Sequence, residues 1–108
     1  MATDFPRSDG DVGTADDVNR QMIYNSVEIK QLTAGTTEGS VNYSSEKKCH
    51  IIRNYGSNNA YITFDTTATT NDLEIAAGET RTIYGAATSI HAITASGSTD
   101  LRIIGLGD

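Results

Sequence analysis

From residue 23 onward, apolar and polar positions alternate in short runs separated by clusters of Gly, Asn, Ser and Asp. That is the signature of strands and turns, with no sustained helical period. The first run, Val27-Glu28-Ile29-Lys30-Gln31-Leu32, puts Val27 and Ile29 on one face and Glu28 and Lys30 on the other. A turn over 33–39 leads to a short strand around Val41-Asn42-Tyr43. Next comes Lys48-Cys49-His50-Ile51-Ile52-Arg53-Asn54, whose paired isoleucines leave the inward phase open. Gly56-Ser57-Asn58-Asn59 reads as a hairpin loop before Ala60-Tyr61-Ile62-Thr63-Phe64, with Ala60, Ile62 and Phe64 inward. A Thr-rich connection precedes Leu73-Glu74-Ile75, and Ala77-Gly78-Glu79 turns the chain into Thr80-Arg81-Thr82-Ile83-Tyr84. The segment Gly85 to Thr88 is expected to break the chain before a strand from Ser89 to Ala95, and Ser96-Gly97-Ser98 turns into a last strand, Asp100 to Leu106. About seven or eight short strands so spaced predict an all-β fold, an antiparallel sandwich of jelly-roll type or a small barrel.

Residues 1–21 break the pattern. Asp4, Asp9, Asp11, Asp16 and Asp17 stand among Gly, Ser and Thr with few apolar residues between them. Such a stretch buries too little to offset about 1–2 kcal/mol of backbone entropy per ordered residue. The chain therefore divides into an extended acidic arm, 1–21, and a β domain, 22–108. In the arm, Phe5 with its stiffened neighbour Pro6 offers an anchor for another surface, and Arg7, Val12 and Val18 are the other contact candidates. Asp16 to Tyr24 has the make-up of a short helix, with Asp16 as cap and Val18 and Met22 one turn apart.

Composition narrows the classes. In 108 residues there are one Cys and one Pro, and the formal charge is −6. A lone Cys excludes a disulfide framework within the chain and a cysteine-cluster zinc site. The acidic balance argues against nucleic acid as a partner, because phosphates attract basic faces. No apolar run approaches about 18 residues, so no membrane-spanning helix is expected. The N-terminus has neither the basic nor the apolar region of a secretory signal.

Candidate chemistry is sparse. Cys49 and His50 are strand neighbours that point to opposite faces, so they do not share a metal without a bulge. His50 and His91 read as ordinary strand histidines, and Cys49 as a small buried hydrophobe. Asp9-Gly10-Asp11 opens like a calcium loop, but Arg20 stands where that loop places its Glu. No nucleophile elbow, phosphate loop or zinc-protease motif occurs. The sequence therefore predicts no enzyme, no cofactor and no metal site. Among the tyrosines, Tyr55 in the hairpin turn and Tyr61 in outward phase are the candidate exposed aromatics.

The last strand says more. With Leu101 and Ile103 facing the core, Ile104 and Leu106 occupy the opposite face, which a soluble monomer usually keeps polar. The run suggests either a strand buried on both sides or a subunit contact, and Ile104 and Leu106 are the expected contact of a small homo-oligomer.

Three strings together resemble a known family. They are Ile52-Arg53-Asn54-Tyr55-Gly56-Ser57-Asn58-Asn59-Ala60-Tyr61-Ile62, Ala76-Ala77-Gly78-Glu79-Thr80, and Ile90-His91-Ala92-Ile93-Thr94-Ala95-Ser96-Gly97. This hairpin, turn and strand pair resembles small β-sandwich proteins of tailed-phage virions, many of them head decoration (cement) proteins. The resemblance covers about half of the chain, and 1–45 lies outside it. It implies a non-enzymatic virion protein, made in the host cytoplasm and bound to the major capsid protein on the outer head surface as a homo-oligomer, with a trimer favoured. Packaged DNA fills a head with negative charge, so an acidic chain is better placed outside it. A carbohydrate- or cell-surface-binding module of a tail or fibre, or a head–tail neck component, is the alternative.

Overall fold

The computed structural model describes residues 24–108, and the account below concerns these alone. The arm contacts expected of Phe5, Pro6, Arg7, Val12 and Val18, and most of the short helix expected from Asp16, lie outside the described residues. Six strands follow in order: β1 Ser26–Ala34, β2 Gly39–Asn54, β3 Ala60–Phe64, β4 Leu73–Ile75, β5 Thr80–Ile93 and β6 Thr99–Gly107. They form one antiparallel sheet in the order β1-β6-β2-β5-β3-β4.

The all-β reading holds, with fewer and longer strands than the turn signals suggest. The expected strands near Val41 and Lys48 are one 16-residue strand, β2, and the expected break at Gly85 to Thr88 lies inside the 14-residue β5. The reason is a bulge: the β2–β5 register shifts between Asn42 and Lys47 and again between Lys47 and Cys49. An extra residue bends a strand without ending it. The first part of β2 pairs with the end of β5 (Val41 opposite Ile90), and the second part pairs with its start (Ile51 opposite Thr82). The small residues Gly85, Ala86 and Ala87 bend there without losing strand geometry.

The bend folds the sheet over its own apolar face. Leu32 of β1 and Ile75 of β4, from opposite ends of the strand order, meet in one core with Tyr43, Ile52, Ile62, Ile90, Leu101 and Ile103. The alternations read from sequence hold in the hairpin and in the last strand. Ala60 and Ile62 are buried with Phe64 packed beside them, and Leu101 and Ile103 are inaccessible to solvent.

The corner is filled in an unusual way. Gly105 of β6 leaves room for the Tyr43 ring and the Lys47 stem: a Cβ there would lie 2.7 Å from Tyr43 Cζ and 2.9 Å from Lys47 Cγ. Lys47 is fully buried, and its ammonium meets Ser26 Oγ at 3.1 Å, Ser45 Oγ at 3.0 Å and Glu28 Oε2 at 3.0 Å. Three donors find three acceptors, which is what makes a buried lysine tolerable.

Candidate functional site

β1 carries its polarity reversed. Glu28 and Lys30 turn toward the molecule, while Val27 is 58% exposed and Ile29 72% exposed. Glu28 is held inside by the bulge, where its carboxylate accepts from Ser44 N–H and Ser44 Oγ besides pairing with Lys47. These bonds, Ser44 foremost, lower the Glu28 carboxyl to about 2.

With the charged side turned in, the apolar side faces out. The register aligns Val27, Leu106, Cys49 and Tyr84 in one row across β1, β6, β2 and β5, and Ile29, Ile104, Ile51 and Thr82 in the next. Ile104, Leu106 and Ile51 are half-buried, Tyr84 is exposed, and Cys49 is buried. The two predicted contact residues, Ile104 and Leu106, therefore lie at the centre of a wider face. The alternation of β1 alone did not say which of its sides turns inward.

A third row borders the apolar ones. Arg102 and Arg53 are register partners, and both guanidinium groups approach the Tyr55 ring, at 5.3 and 4.9 Å from its centroid. Tyr55 is 60% exposed. Tyr61 is half-buried and lines a cleft elsewhere, so the two candidate aromatics do not form one platform.

The histidines enter separate networks. His50 is buried, donates from Nε2 to Gly85 O at 2.8 Å, and accepts at Nδ1 from the Tyr43 hydroxyl at 2.8 Å. Its ring lies between Tyr43 and Phe64, and burial pushes its pKa below the ordinary histidine value. His91 joins a chain from Glu38 through the imidazole and Ser89 to Asp65, with His91 Nδ1 2.5 Å from Glu38 Oε2 and Nε2 3.1 Å from Ser89 Oγ.

The order Ser–His–Glu is that of a nucleophilic triad. Its surroundings oppose that chemistry. Ser89 is buried, and its hydroxyl faces the Asp65 carboxylate, which disfavours an alkoxide. The Thr88 and Ser89 amides, needed to stabilise an oxyanion, are already donated to Asp65. Asp65 sits at φ 61, and its carboxyl is lowered chiefly by the Thr88 bonds. Glu38 Oε2 also accepts from Ala68 N–H at 3.2 Å. The network thus straps the β1–β2 turn and the β3–β4 connection onto β5. Ser89 and His91, two apart on one strand, were the only sequence trace of it.

The carboxylates give one expected result. Glu28, Asp65 and Glu79 all have lowered values, so their stabilisation is complete above the unfolded carboxylate range and disappears as pH falls through the folded values. His50, also lowered, acts in the same direction from about pH 6.5 downward. The urea midpoint should stay level at neutral pH, fall gently below about 6.5 and steeply from about 4.5 toward about 2. A midpoint that rises on acidification would contradict these assignments.

Among the described residues no group of three or more His, Cys, Asp or Glu side chains could hold a metal ion, and no helix is long and apolar enough to cross a membrane. No family model matches the chain, and no curated protein matches it. Among solved structures it is similar to a cupin superfamily protein from Desulfitobacterium hafniense, at 18% identity over 82% of this chain and 84% of that one, with a TM-score of 0.45.

Proposed function

We propose that this chain is a non-enzymatic structural protein of a tailed-phage particle. In this reading it is a decoration protein that self-associates and binds the outer surface of the head across junctions of the major capsid protein. The observation that carries the reading is the reversed polarity of β1, with Glu28 drawn inward while Val27 and Ile29 stand 58% and 72% exposed beside Ile104 and Leu106. A contiguous apolar face of this kind marks a protein contact.

A second copy of the chain suits the face. Its two rows carry no carboxylate, so bringing two copies together there avoids setting their negative charges against each other. Among the described strands β1 also lies at the sheet edge, nine residues long, and an edge strand favours pairing with another strand. Self-association would present several capsid-binding surfaces at once, and binding across junctions stabilises a shell by mass action.

The test has two parts. Sedimented native particles should contain this chain at close to one copy per major capsid protein, or one trimer per local threefold. A few copies per particle would move it to the neck or tail, and absence would overturn the reading. In sedimentation velocity, Ile29→Asp with Ile104→Asp should reduce the oligomer to monomer with strand content unchanged. An unaltered oligomer would remove the face from the proposal.

A further inference from the structure

A second surface lies at the other end of the same strands. Beside the Tyr61–Ile93 pair of β3 and β5, the β2–β3 and β5–β6 loops border a cleft of about 260 Å³ lined by Ser57, Asn58, Asn59, Tyr61, Ala95 and Ser96. We propose that this cleft binds a neutral sugar ring.

The lining is the first argument. None of the six residues is charged at neutral pH, although the chain carries a formal −6. A charged ligand would find no counterion in the cleft. The hydroxyls of Ser57, Ser96 and Tyr61 have no hydrogen-bond partner among the described residues, so they can exchange bonds with a ligand's hydroxyls. The Tyr61 ring and the Ala95 methyl add apolar surface to this hydroxyl set. A sugar ring has the matching combination, hydroxyls around its edge and a C–H face that lies against an aromatic. The size agrees as well, being just below the roughly 300–1,000 Å³ of clefts that take drug-sized ligands.

The second argument is that the walls are fixed before any ligand arrives. Asn58 Nδ2 donates to Ser98 O at 2.8 Å and so ties one loop to the other. Asn59 is held on both sides, with Nδ2 on Glu74 Oε2 at 2.7 Å and Oδ1 accepting from Ala77 N–H at 3.1 Å. Gly97 has φ +66, and a Cβ there would lie 2.6 Å from Asn58 Nδ2, so the β5–β6 loop needs glycine at its closest approach. Thr94 Oγ1 donates to Gly97 O at 2.7 Å and closes that loop on itself. The amides hold the frame, the hydroxyls remain for the ligand, and little ordering cost falls on binding.

The cleft is independent of the assembly face, which centres on the Ile51–Ile104 and Cys49–Leu106 pairs further along the strands. A copy docked through that face keeps the cleft open.

Saturation-transfer NMR on the full chain tests the proposal. The probes are methyl α-glucopyranoside, methyl α-galactopyranoside and N-acetylglucosamine at millimolar concentration, with glucuronate as the charged control. Transfer to at least one neutral sugar is expected, together with weaker transfer to glucuronate. Tyr61→Ala should weaken binding by about tenfold or more. Ser96→Trp, a change in an exposed loop that fills the cleft without touching a strand, should abolish it. The Ile29→Asp, Ile104→Asp protein should bind as the parent does, which separates this result from the oligomer test. No transfer to any neutral sugar, equal transfer to glucuronate, or binding indifferent to Ser96→Trp would overturn the assignment.

Discussion

Replacing Asn54 with Ala should be among the most damaging single changes in the domain. Asn54 is fully buried at the end of β2, and its side chain makes four hydrogen bonds. Nδ2 donates to Asn58 O at 2.8 Å and Ile75 O at 3.1 Å, and Oδ1 accepts from Gly56 N–H at 3.0 Å and Thr99 Oγ1 at 2.5 Å. One amide thereby fastens the β2–β3 turn, β4 and the start of β6 to β2. The bonds to Ile75 O and Thr99 Oγ1 are buried, and each buried group left without a partner costs about 1–3 kcal/mol, so the expected loss is about 2–6 kcal/mol. That is a large part of the roughly 5–15 kcal/mol that holds a typical domain together. Asn54→Asp should do little better, since it keeps the acceptor but turns a carboxylate toward two carbonyl oxygens. Urea denaturation measures both variants, and an Asn54→Ala protein within about 1 kcal/mol of the parent would show that the hub is dispensable.

Lys47→Met is expected to cost about 3 kcal/mol or more, because removing one member of a buried ion pair strands the other. Lys47 is the enclosed partner, with its side chain 1% exposed against 17% for Glu28. Methionine fills much of the lysine stem's volume, so the loss reports the ammonium and not a cavity. The double variant Lys47→Met, Glu28→Gln removes both charges and should recover part of the loss, a coupling that a double-mutant cycle reads directly. Strict additivity in that cycle would mean the two groups act separately.

Both residues mark the limit of what was legible beforehand. The alternation of β3 and β6, the Gly56–Asn59 hairpin and the turn at Ala77-Gly78-Glu79 were readable because each is local. Ala60 and Ile62, or Leu101 and Ile103, declare their face by spacing alone. Asn54 looked like a strand end before a turn, since its partners lie up to 45 positions away. Lys47 sat in the run Glu46-Lys47-Lys48, which reads as solvated charge until a bulge turns its middle member inward. The same bulge joined strands that the turn signals separated. Of the outward apolar face, Ile104 and Leu106 were legible from the last strand. Val27 and Ile29 had the right phase, but only the Ser44 and Lys47 bonds to Glu28 decide which side of β1 is inside. The cleft is built from two loops nearly 40 residues apart in sequence, and the strand alternation singled out Tyr61 without its surroundings.

The pairing of β1 with β6 also determines how the domain answers to force. Ser26 stands opposite Gly107, and Asn25 N–H donates to Gly107 O at 2.8 Å, so β1 begins at the point where β6 ends. A pull on those ends loads the ladder one rung at a time, as in opening a zipper, and never shears its nine pairs together. Tension applied at the start of β1 and the end of β6 would peel β1 from β6 before the core strands feel it. The rungs nearest the pull carry Val27 and Ile29 opposite Leu106 and Ile104, so an early event under load would be disruption of the exposed apolar rows.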